Sequence, residues 1–95
     1  MTRNTFKAYL RKVQRLQVLA YEHGLDLSFG TRDAQSKDEG WITGHVYPEG
    51  CNFSEGTDGV DFIYFHLYDW QDRERWDAEL SRIEKWILEH DNLNK

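Results

Sequence analysis

The sequence is poor in the residues by which small proteins usually declare themselves. A single cysteine, Cys51, cannot close an internal disulfide, so no stapled framework of the secreted kind is expected. His45 lies six residues before it without the two short-spaced ligand pairs that mark zinc sites. No apolar stretch approaches the roughly 20 residues that span a bilayer, and the opening MTRNTFKAYLRK lacks the apolar core of a signal peptide. These absences lead us to expect an intracellular, cytoplasmic protein with no membrane partner. The sequon Asn52-Phe53-Ser54 is then a chance match.

Catalytic signatures are missing as well. There is no nucleophile elbow, phosphate-binding loop or dinucleotide fingerprint. His66 and Asp69 form an HxxD at a strand end, where alternation sends them to opposite faces. The stretch Ser54 to Asp61 resembles a calcium loop, but the twelfth position counted from Ser54 is Phe65 where glutamate is needed. No enzyme activity, cofactor or metal is expected on these grounds.

Aromatic residues are plentiful, at 15% of the 95 residues, enough to argue for one folded domain spanning 1–95 despite a low mean hydropathy. The net charge of −5 hides an asymmetry: residues 1–21 hold five of the 12 lysines and arginines and none of the 17 acids. The rest of the chain is therefore strongly acidic and should favour basic partners over free nucleic acid.

In TFKAYLRKVQRLQVLAYEHG, the residues Phe6, Tyr9, Leu10, Val13, Leu16 and Ala20 recur at three and four, the stripe of a helix ending at Gly24, with Asn4 or Thr2 as cap. LDLSF alternates as a first strand, and 30–40 reads as a long connection. WITGHVY is a second strand ended by Pro48. In 48–58, Cys51 and Phe53 are candidates for a short extra strand, and Asp58-Gly59 turns the chain into a third. A second helix follows, capped at Asp69, with Trp76, Leu80, Ile83 and Ile87 as its apolar stripe. The expected fold is α+β: a two-layer α-β-β-β-α domain with a three-stranded antiparallel meander and both helices on one face.

The third strand, in VDFIYFHLYDW, poses the functional question. Ile63, Phe65 and Leu67 point one way while Phe62, Tyr64 and Tyr68 point the other, so both faces ask to be covered. With the helices on the aliphatic face, the reverse face carries Trp41, His45, Tyr47, Phe62, Tyr64, His66 and Tyr68. Such a patch reaches the roughly 300 to 600 Å² that is the largest on an ordinary monomer. Tyrosine and tryptophan suit a surface that is wet when free and dry when bound. The strand also lies at a sheet edge with no internal lysine or proline to deter pairing. The leading expectation is a small non-enzymatic interaction domain that self-associates or docks on a protein partner through this face and edge. In the plainer account, helices or loops fold across and the aromatics are core.

Helix, three antiparallel strands, helix is also the order of double-stranded RNA-binding domains. The chain resembles them in this order alone: their second helix opens on a lysine cluster, whereas QDRERWDAE here supplies Asp72, Glu74, Asp77 and Glu79. Arg3, Lys7, Arg11 and Arg15, four apart along the first helix, are candidate contacts for phosphates or an acidic partner, although a solvated helix face explains them as simply. The alternative expectation is a nucleic-acid-related module. Its favoured form is an acidic mimic that inhibits a host defence or DNA-binding protein, since the chain resembles such inhibitors in size and charge. A direct DNA or RNA binder using the first helix is the lesser form.

Overall fold

A computed structural model describes residues 2–32, 40–50 and 61–93. Helix α1 covers Arg3–Glu22, strands β1, β2 and β3 cover Leu25–Arg32, Trp41–Pro48 and Ile63–Tyr68, and helix α2 covers Arg73–Glu89. The sheet is an antiparallel meander in the order β1-β2-β3, so the α+β reading holds.

Local chemistry sets the element ends. Of the two candidate caps of α1, Thr2 is the one used, its hydroxyl accepting from the Thr5 amide at 3.2 Å. The helix closes at His23, and Gly24 takes a positive φ of 73° that a side chain would resist. For α2, the cap expected at Asp69 falls instead at Asp72, whose carboxylate accepts from the Arg75 amide at 2.8 Å. Residues 69–71 are used up in a turn closed by the Gln71 amide on the Tyr68 carbonyl at 3.0 Å. Aspartates three apart offer equal capping chemistry, so turn geometry makes the choice. Strand β1 also runs three residues beyond Phe29, to Arg32, because backbone pairing with β2 continues through Gly30–Thr43 and Arg32–Trp41. The expected short strand at Cys51 and Phe53 lies outside the described residues.

Both helices pack on the aliphatic face. Leu25, Leu27, Ile42, Val46, Phe65 and Leu67 are buried against Phe6, Tyr9, Val13, Leu16 and Ala20 of α1 and Trp76, Leu80, Ile83 and Ile87 of α2, with Phe29 and Ile63 at the margin. Helix α1 lies under β1 and α2 under β3. The helices run parallel and in register: the Tyr9 hydroxyl donates to Asp77 Oδ1 at 2.6 Å near one end, and the Asn92 side chain donates to the Gly24 carbonyl at 3.2 Å at the other. Both pairs are separated by 68 residues in sequence, which is what two helices descending from the same end of one sheet require. Tyr9 also meets Trp76 edge to face at 5.2 Å between ring centres. Burial first, and then the hydrogen bond and negative charge of Asp77, push the Tyr9 hydroxyl up to about 12, against a smaller pull from Arg73.

Candidate interaction site

Strand alternation and register build the face that the helices leave bare. Across the sheet, Ser28, His45 and Tyr64 form one row, Gly30, Thr43 and His66 the next, and Arg32, Trp41 and Tyr68 a third, with Asp26 beside Tyr47 at the other end. All seven aromatic and histidine residues singled out from the sequence come together here. Phe62 meets Tyr64 edge to face at 5.1 Å, Tyr64 lies 5.6 Å from His45, and His45 stacks on Tyr47 at 5.1 Å. On the other side of the face His66, Tyr68 and Trp70 stack in series at 5.5 Å per step. Trp70 was not among the expected residues. It follows the strand in a turn, and alternation counted only through Tyr68 gives no reason to include it.

Between the two aromatic groups runs an open groove of about 340 Å³, floored by Ser28, Gly30, Thr43 and Gly44 and walled by His45, Tyr64 and His66. Its floor is low because the side chains there are small. Tyr64 stands 52% exposed beside it, His66 is exposed, and Trp41 is half-buried. Ser28 and Tyr47 exchange a hydrogen bond of 2.8 Å between their hydroxyls, which ties one wall to the floor. Burial holds the His45 imidazole below the usual histidine range. Of the residues that β1, β2 and β3 direct to this face, Asp26 and Arg32 alone carry a formal charge. The face is thus near neutral on a chain of net charge −5.

The edge of β3 differs from expectation. Four of its outward backbone groups are taken by side chains of α2 and the turn before it. Gln71 accepts from the Tyr68 amide at 3.0 Å, Glu79 accepts from the His66 amide at 3.2 Å, and Arg82 donates to the Tyr64 carbonyl at 2.6 Å. The Trp76 indole donates to the Tyr68 carbonyl at 2.7 Å. Burial works to raise the Glu79 carboxyl, but hydrogen bonds from Arg82 and the His66 amide, with the charges of Arg82 and Arg75, outweigh it and hold the group below its usual range. These side chains occupy positions that an added strand would need, so the edge drops out of the interaction site. Sequence gave no sign of this, since which strand a helix flank lies beside is a tertiary fact.

The basic residues of α1 are all exposed, but they do not form one line. Positions four apart advance about 40° around a helix, so Arg3 and Arg15 are separated by about 120°. Arg15 lines the cleft between the helices with Lys12, Asp77 and Glu84, and Lys12 lies 3.7 Å from Asp77. Arg3, Lys7 and Arg11 do not line that cleft. Among the described residues, no three acidic, histidine or cysteine side chains gather as a metal site, and no helix is long and apolar enough to cross a membrane. The architecture is a two-layer α+β domain whose aromatic sheet face is, among the described residues, left bare by both helices. No family model matches the chain, and neither a curated protein nor a solved structure is significantly similar to it.

Proposed function

We propose that the protein is a non-enzymatic interaction domain that binds protein, a second copy of itself included, through the aromatic sheet face. The observation that carries this reading is the exposure of Tyr64, His66 and Trp70, with Trp41 half-buried, on a face that both helices turn away from. Near-neutrality supports it, because such a face can be dried without burying unpaired charge. Three strands spaced about 4.8 Å apart, with about 3.3 Å per residue, give this face roughly 300 to 400 Å² in projection. That is well short of the ~800 Å² per partner of a standard stable complex, so the contact belongs to the weak or transient class.

The test pairs sedimentation equilibrium of the purified chain with partner capture from native cell extract, using wild type and the variants Trp41→Arg and Tyr64→Arg. A charge placed on the face should weaken self-association or capture at least tenfold while circular dichroism stays unchanged. Self-association and capture that both survive the two substitutions would falsify the reading. A gel shift with DNA and RNA at low salt checks the nucleic-acid alternative, since direct binding must appear there and fade as salt rises.

A further inference from the structure

The groove across the aromatic face does not end at His66. The same side chain also lines a second hollow, of about 530 Å³, which lies beside β3 and is shared with Tyr68, Gln71, Arg75, Glu79 and Arg82. One histidine is thus the common wall of a groove floored by small residues and a hollow lined mainly by polar ones. A ligand of modest length can enter both.

The side-chain acceptors of the hollow are spent, and its donors are not. Glu79 accepts from the His66 amide at 3.2 Å and from the Arg82 guanidinium at 2.8 and 3.1 Å, so its charge is matched by that of Arg82. Gln71 Oε1 is held by the Tyr68 amide at 3.0 Å, which fixes the orientation of the side chain and leaves Nε2 as a donor without a partner among the described residues. The Arg75 backbone amide goes to the cap at Asp72, but its guanidinium makes no hydrogen bond or close ion pair among the described residues. Unspent donors around one unmatched cation call for an anionic acceptor.

We propose that this hollow takes the carboxylate of an aspartate or glutamate in a short partner segment whose apolar part lies in the groove. The inference rests on the aromatic face being the binding surface, and it names the chemistry the partner must bring there. The Arg75 fork pairs with a planar carboxylate, with Gln71 as a second donor. One unmatched positive charge suits a monoanion, whereas a phosphate dianion would exceed it and would crowd the carboxylate of Glu79. The groove supplies most of the affinity through dried aromatic surface, and the carboxylate contact decides which segments are chosen. A short segment also suits the small area of the face.

The probe is a random heptapeptide library displayed on phage and panned against the purified chain, followed by fluorescence anisotropy of the selected peptides in fluorescein-labelled form. Selected peptides should share an aspartate or glutamate. Its change to asparagine or glutamine should weaken binding at least fivefold to the wild type but less than twofold to Arg75→Gln. Arg73→Gln removes the same charge from a position outside the hollow and should leave affinity within twofold. Tyr64→Ala takes down one wall of the groove and should weaken acidic and amide peptides alike, at least fivefold. The inference is overturned, with the aromatic face still standing as the binding surface, if Tyr64→Ala weakens binding but the peptides show no preference for an acid, or one that Arg75→Gln leaves intact. A phosphoserine version that binds tenfold more tightly than the glutamate peptide would overturn the carboxylate assignment, and a wild-type dimer that Arg75→Gln dissociates would give the hollow to a second copy instead. Selected peptides indifferent to Tyr64→Ala, or a library that yields none, would count against the face itself and the inference with it.

Discussion

Gly44 shows how one missing side chain lets β1 and β2 approach each other. A Cβ there would lie 2.3 Å from the Ser28 carbonyl oxygen and 2.8 Å from Phe29 Cβ, both too close to tolerate. Gly30, on β1 beside Phe29, the cross-strand partner of Gly44, differs: a Cβ there would stand 3.7 Å from the Trp41 ring, at ordinary contact distance. Gly44→Ala should therefore cost about 2 to 3 kcal/mol in urea unfolding, as overpacked sites do, whereas Gly30→Ala should be close to neutral. Equal effects would show that the close approach of β1 to β2 is not what requires Gly44. Tyr9 gives a second test at this scale. The fold favours its protonated hydroxyl, so the stabilisation is complete below the ordinary tyrosine value near ~10 and is lost as pH rises toward about 12. Tyr9→Phe should lower stability at pH 7 by about 1 to 2 kcal/mol, through loss of the bond to Asp77. Its melting temperature should then fall less between pH 10 and 12 than that of the wild type.

Among the elements, α2 has two tasks. Its apolar stripe fills the core, and its flank, through Glu79 and Arg82, closes the edge of β3. An open strand edge is a template for pairing with other chains, so the second task bears on solubility. Glu79→Ala with Arg82→Ala leaves the stripe intact and uncovers the His66 amide and Tyr64 carbonyl. The double variant should lose about 1 to 2 kcal/mol and associate with rising concentration, which light scattering would detect. Acid should act in the same direction. The depressed Glu79 carboxyl contributes stability that is present above its ordinary value near ~4.3 and is lost as pH falls through the lower folded-state value. A double variant as monomeric as the wild type at all concentrations would mean that strand twist, not these side chains, protects the edge.

For the whole molecule, charge and shape divide the surface into parts with different uses. The aromatic sheet face is near neutral, the exposed side of α2 is mixed and rich in carboxylates, and the exposed side of α1 is basic. A partner meeting the sheet face would be held by dried aromatic surface and be insensitive to salt, whereas one held by the cations of α1 would be released by salt. Salt dependence of capture thus distinguishes the two surfaces before any partner is identified. Trp41→Arg and Tyr64→Arg should abolish only the salt-resistant fraction.

The sequence by itself determined the elements, their order and the content of each face. The three-and-four spacing of Phe6, Tyr9, Val13, Leu16 and Ala20, and the alternation of Ile63, Phe65 and Leu67 against Tyr64, His66 and Tyr68, are local periodicities that burial simply obeys. Placing both helices on the aliphatic face was also legible, because Asp26, Ser28, Thr43 and His45 make the other floor too polar to seat an apolar stripe. Tertiary structure decided the rest. Which aspartate caps α2 depended on how the turn after Tyr68 closed. Which edge groups are taken depended on side chains of one element reaching the backbone of another, as Arg82 and Glu79 reach β3 and Gln17 reaches Leu27. Such contacts join residues 10 to 18 apart in sequence, and no periodicity encodes them, because they depend on where the helices come to rest against the twisted sheet.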